Sequence, residues 1–251
     1  MKTSFYFVLW TVIYPLLGLI PSETVRNNGF LFALVAVFGI SWLLRKAMPG
    51  VFAYEAAARR ATYLEPVYRG DVGAFRRLVH RDALVESVSA AYFVLSTVYI
   101  LITCFTDRAD WFDLAVFGLL LWASASRAAS LVKADRLVSG YPTPDNCAKV
   151  AEETYRYDYP AYRNAREHKP LAALMPPRPR AFGAFTVVSM IFAVLSVLCG
   201  GFYLFIAFGY GVSRFTLFSG AFSGMLVLYG LLAIYFGVRD IMGSRSRIVT
   251  E

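Results

Sequence analysis

Six apolar runs bounded by charged or turn residues alternate with polar stretches along the chain, at residues 4–20, 30–44, 87–105, 111–132, 182–209 and 216–237. A helix needs about 20 mostly apolar residues to cross roughly 30 Å of hydrocarbon. Each run therefore predicts a membrane span, and together they predict an all-α, polytopic helical bundle formed as a single membrane domain over residues 1–251. The second run is short. Its 15 residues rise about 22 Å as a helix, so it must borrow flanking residues such as Asn27 and Asn28 or sit where the bilayer thins. The fifth run is overlong and carries Gly200 and Gly201 near its middle, which predicts a kink or break there. The first run is longer than the apolar part of a secretory signal and ends in Gly-Leu-Ile-Pro-Ser-Glu without a small-x-small site, so it is expected to be kept as a span.

Composition agrees with the pattern: 58% of the 251 residues are hydrophobic and 17% are charged, against about a quarter charged in soluble domains. An ordinary soluble globule, a disordered chain and a disulfide scaffold are all excluded by those values. The net charge of +8 matters less than its distribution. With six spans, 22 of the 25 Lys and Arg residues fall on one side, and Arg26, Arg108 and Arg214 fall on the other. Basic residues resist translocation, so both termini and the two long loops, 45–86 and 133–181, are expected on the cytoplasmic side of the plasma (inner) membrane. Thirteen of the 17 acidic residues share that side, which leaves a basic inner cap.

The first long loop reads as two helices. Residues 51–64 are rich in helix formers and are expected to stop before Pro66, because the residue preceding a proline is pushed out of helical conformation. Asp71 then suits the cap of a second helix that could run straight into the third span. Val72, Phe75, Leu78, Val79 and Ala83 share one face of it, while Arg76, Arg77, His80 and Arg81 share the other. The second long loop opens on Thr143-Pro144-Asp145, a helix start signal, and predicts a helix over 144–158. A shorter piece over 161–168 follows, then the Pro-rich stretch 175–180, expected to be extended. Arg76, Arg77, Arg81, Tyr155, Arg156, Tyr159, Tyr162 and Arg163 are the candidate contacts to lipid headgroups or to a partner, since basic and tyrosine side chains favour that interface. Nucleic acid is not an expected partner, because Glu152, Glu153, Asp158 and Glu167 weaken the local positive field.

Chemistry is sparse. The two histidines, His80 and His168, lie in different loops without ligand spacing, so no metal or cofactor is expected. Cys104 and Cys199 read as small packing residues, and Cys147, assigned to the reducing inner side, requires no disulfide. Ser219 and Ser223 lie within the last span, but no histidine follows to serve as a base, which removes an intramembrane hydrolase. Gly220-x-x-x-Gly224 instead marks a helix-packing face. Arg127 and Asp113, near opposite ends of the fourth span, are the candidate pore or gating residues, beside Ser124, Ser126 and Ser130; an intramembrane charge needs a functional reason by default.

These features favour a structural, assembly or interaction component whose inner loops form a basic amphipathic cap. Its expected partners are membrane lipids and other membrane subunits or further copies of itself. The alternatives are an oligomeric channel or transporter for a small or anionic solute, and a lipid-modifying enzyme drawing on Glu152, Glu153 or His168. No spacing picks out an acid, base or nucleophile, so no catalytic residue is assigned and an enzyme is not the favoured class.

Overall fold

The computed structural model describes residues 29–106 and 111–209, together with isolated positions between 224 and 238. The described residues are helical apart from short connections, and no strand occurs among them. The helices are α1 (Gly29–Ala47), α2 (Pro49–Tyr68), α3 (Val72–Thr106), α4 (Trp111–Gly140), α5 (Pro144–Glu153), α6 (Tyr159–His168), α7 (Leu171–Leu174) and α8 (Arg180–Gly209). The chain divides into two compact units, Ala53–Pro177 and the segments Met1–Phe52 with Arg178–Glu251.

In the second of these units, α1 is longer than the short second run. Its 19 residues rise about 28 Å, and the extension is gained through Arg45 and Lys46 at its C-terminal end; Asn27 and Asn28 lie outside the described residues. Lys46 Nζ stands 4.1 Å from the Trp42 ring centroid, a cation–π contact that lays its alkyl stem along apolar surface. Helix α8 continues through Gly200 and Gly201 without the expected break, since each glycine costs about 1 kcal/mol of propensity in an otherwise strongly apolar helix. Its segment Arg180–Phe202, 23 residues of mean hydropathy 2.4, is long and apolar enough to cross a membrane. The first apolar run and Gly220 lie outside the described residues.

The domain Ala53–Pro177 holds both long loops and the two helices they lead into. Helix α2 does not stop before Pro66 but continues through it to Tyr68. Proline at this position removes one backbone donor near the helix end, while Leu64 and Val67 on the last turns are buried in the core. The helix closes two residues later: Gly70, at φ 69°, lets the Asp71 N–H reach the Pro66 carbonyl at 2.8 Å and the Gly70 N–H reach that of Val67 at 3.1 Å, a Schellman arrangement. The Asp71 carboxylate accepts from the Ala74 N–H at 2.8 Å and starts α3. This helix then runs 35 residues, or about 52 Å, so cap helix and third run form one rod as expected. Helix α4 likewise extends past its apolar run to Gly140.

Helix α5 starts as read from sequence, with the Thr143 hydroxyl accepting from the Asn146 N–H and Pro144 in the first turn. It ends at Glu153, five residues before the expected end at 158. The chain turns through Arg156, whose φ is 56°, and the Asp158 side chain caps α6. Residues 176–179 are non-helical, as expected of the Pro-rich stretch. The domain core gathers Tyr63, Leu64 and Val67 of α2, Phe75, Leu78 and Val79 of α3, Ala134 and Val138 of α4, and Cys147, Val150 and Ala151 of α5. Each helix lends the apolar face of an amphipathic pattern. The two loops that the sequence presents separately are thus halves of one core.

Candidate functional site

The turn between α5 and α6 carries Tyr155 and Tyr157 back onto α2 and α3. The Tyr155 ring packs 4.5 Å from that of Tyr63 and stacks 6.0 Å from that of Tyr157, which in turn lies 5.9 Å from Tyr63. Beneath the rings Asp82 gathers donors. Tyr63 Oη and Tyr155 Oη both donate to its Oδ2, the latter at 3.1 Å, and Arg81 donates to Oδ1 through Nε at 3.2 Å and Nη2 at 2.9 Å. Burial first, and the Asp82 charge second, push the Tyr63 and Tyr155 phenols above their ordinary range, so they remain donors. Burial works against the charge of Arg81, but Asp82 outweighs it and holds the guanidinium protonated.

A second cluster ties α2 to α6. Arg166 donates to Glu65 through Nη2 at 2.9 Å and Nε at 3.1 Å, and Tyr162 Oη donates to the same carboxylate at 2.7 Å. Arg69 adds a fourth bond at 2.9 Å. The Arg166 hydrogen bonds lead, ahead of an opposing burial penalty, in drawing the Glu65 carboxyl down from 4.5 to about 2. This is a fork-to-fork ion pair between residues from different loops.

A third group lies where α3 and α4 leave the core shared by the two loops. Arg127 Nη1 donates to the Thr154 carbonyl at 2.9 Å, and its guanidinium sits 5.7 Å from the Tyr155 ring centroid. Glu86, half-buried one turn beyond Asp82, feels Arg127 and Arg59 as attractive charges and Asp82 as a repulsive one, yet burial dominates and raises its carboxyl above the usual range. Arg59 and Arg60, both exposed, act electrostatically on Tyr157 together with Arg127.

The expected contact residues thus separate. Arg76, Arg77, Arg156 and Arg163 are exposed, as an interaction surface requires. Arg163 also pairs with Glu167 at 3.1 Å. Tyr159 is half-buried against the core. Arg81, Tyr155 and Tyr162 are turned inward by their bonds to Asp82 and Glu65. His80, read on the solvent face, lies with Nδ1 2.9 Å from Asp135 of α4. Asp113 lies in the first turn of α4 with its side chain outside the described residues, and Gly224 is helical and half-buried.

Reactive chemistry does not converge. Glu152 and Glu153 are exposed on α5, whereas His168 ends α6 with Nδ1 2.8 Å from the Asn164 carbonyl oxygen. Burial pushes the Cys147 thiol up to about 11, which keeps it protonated and unreactive. A shallow dent of about 330 Å³ is walled by Tyr159, Pro160, Arg163, Asn164 and Glu167, all from α6. Among the described residues no group of three or more His, Cys, Asp or Glu side chains is placed to hold a metal ion.

The sequence did not single out Glu65, Asp82, Arg59 or Arg60. Their partners lie up to 101 residues away along the chain, where no local spacing signals them. No protein family model, curated protein or solved structure matches this chain.

Proposed function

We propose that the protein is a six-span integral membrane component whose two long inner loops pack together as a rigid cap on the cytoplasmic side and use it to assemble with membrane partner subunits or a second copy. The one-sided placement of 22 of 25 basic residues supports the topology, as does the strongly apolar segment Arg180–Phe202. One observation carries the role. Two carboxylates are spent on joining the two loops, Asp82 through Tyr155 and Glu65 through Arg166 and Tyr162. A fold that commits its polar groups to its own rigidity suits a docking platform better than a turnover site, and exposed Arg76, Arg77, Lys133 and Arg136 are left to meet an acidic partner. A channel would want Arg127 free at a pore mouth; its bonds to the Thr154 carbonyl and the Tyr155 ring favour the platform.

The test uses the full chain in its own membrane. Impermeant maleimide should label Ser139→Cys only after the cytoplasmic face is opened; labelling from outside overturns the topology. Arg76→Glu/Arg77→Glu should release the partner that co-purifies in mild detergent while leaving the melting temperature unchanged. Retention of that partner, or flux of ions through the reconstituted protein, overturns the platform.

A further inference from the structure

We propose that Arg59, Arg60 and Arg127, brought near Tyr157 where α3 and α4 leave the core shared by the two loops, bind the phosphate-bearing headgroup of an anionic membrane lipid. The inference rests on the reading of residues 87–105 and 111–132 as spans. Glu86 immediately precedes the first of these runs and Arg127 lies near the end of the second, so the cluster falls at the level of the headgroups. Arg76 and Arg77 do not. They stand about 15 Å further down the continuous helix α3, beyond a Debye length of about 8 Å.

Three features make the cluster a receptor rather than a scatter of charge. Arg127 is fixed in place by the Thr154 carbonyl at 2.9 Å and by the Tyr155 ring, and it spends one of its five N–H donors doing so. Arg59 and Arg60 precede Tyr63 by about one helical turn, and the Tyr63 ring packs on Tyr155 and Tyr157; neither arginine's side chain makes an ion pair or hydrogen bond among the described residues. The acidic groups in reach are Asp82, already matched by Arg81, and Glu86. Glu86 feels Arg127 and Arg59, all three arginines act on Tyr157, and guanidiniums pair with phosphate oxygens in a two-pronged geometry. The burial that raises the Glu86 carboxyl makes it readily protonated, and the site more basic, as pH falls. Tyr157, held neutral chiefly by burial, adds a phenol of the kind enriched at headgroup depth. Beyond the cluster both helices continue with exposed apolar side chains, among them Val88, Leu95, Leu119 and Trp122, which suit acyl chains and not a free anion.

Native mass spectrometry of the full chain in mild detergent tests this with phosphatidylglycerol, phosphatidylcholine and inorganic phosphate as probes. Phosphatidylglycerol should be retained in preference to phosphatidylcholine. Arg59→Gln/Arg60→Gln should weaken it about tenfold or more, given roughly a fivefold contribution per arginine near an anionic surface. Glu86→Gln should strengthen it severalfold, a gain that misfolding cannot produce, and Arg76→Gln/Arg77→Gln should leave it unchanged. Equal retention of the two lipids, no loss in the Arg59/Arg60 variant, or an equal loss in the Arg76/Arg77 variant overturns the proposal. Displacement of the lipid by equimolar inorganic phosphate makes the site one for free phosphate and overturns it too. Labelling of Ser139→Cys from outside would remove the topology on which the site rests; correct labelling without lipid selectivity would remove the site alone.

Discussion

A carboxylate withdrawn from water keeps its charge where donors replace the lost hydration, and Asp82 and Glu65 solve that problem differently. Asp82 is served by two buried phenols and by its sequence neighbour Arg81; Glu65 is served by a guanidinium fork from the other loop. The Glu65 carboxyl lies near 2 in the folded protein against an ordinary 4.5. A depressed folded value means that unfolding takes up protons, so the contribution of the pair is complete above about 4.5 and disappears as pH falls through about 2. The melting temperature of Glu65→Gln in detergent should therefore lie below that of the parent at pH 6, with the gap closing steadily between pH 4.5 and 2.5. A gap that does not change with pH would mean that shape and not charge carries the contact.

At the scale of elements, helix ends decide how the loops fold, and two of them make the same left-handed demand on the backbone but meet it with different residues. Gly70 occupies φ 69° at the close of α2, a conformation glycine adopts freely. Arg156 occupies φ 56° after α5, where a side chain pays about 1 kcal/mol or more. Gly70→Ala should destabilise the domain by about 1 kcal/mol, while Arg156→Gly should leave it unchanged or stabilise it by up to about 1 kcal/mol. Denaturant unfolding followed by tyrosine fluorescence reads both. The same ends show what the sequence made legible. Caps are local, so the starts of α3 at Asp71 and α5 at Thr143, and the union of α3 with the third run, could be read from a few adjacent residues. Pro66 misled because its cost is local while the burial of Leu64 and Val67 that outweighs it is not. The early end of α5 was hidden for a similar reason: helical spacing continues to 158, and what turns the chain is the long-range attraction of Tyr155 to Asp82 and Tyr63. The residues proposed to bind lipid suffered most, since Arg59 and Arg60 acquire meaning only through helices that meet far apart in sequence.

For the whole molecule, the consequence of one shared core is that neither long loop of Ala53–Pro177 can hold its structure alone. Phe75, fully buried, is a first-loop side chain packed in a cluster with Cys147, Val150 and Ala151 of the second. Phe75→Ala should cost about 3–5 kcal/mol, a large share of the roughly 5–15 kcal/mol that holds a typical domain together. Proteolysis follows the population of the opened form when closing outpaces cleavage. Trypsin should thus cut after Arg156 and Arg163, both in the second loop, at least about a hundredfold faster in Phe75→Ala than in the parent. Arg77→Gln, an exposed change on the same helix, should leave those cuts as slow as before. Were the loops independent, the Phe75 variant would accelerate cleavage at the first-loop sites Arg59, Arg60 and Arg69 and spare Arg156 and Arg163. The distribution of cut sites, read by mass spectrometry of the peptides, separates one cooperative cap from two neighbouring loops.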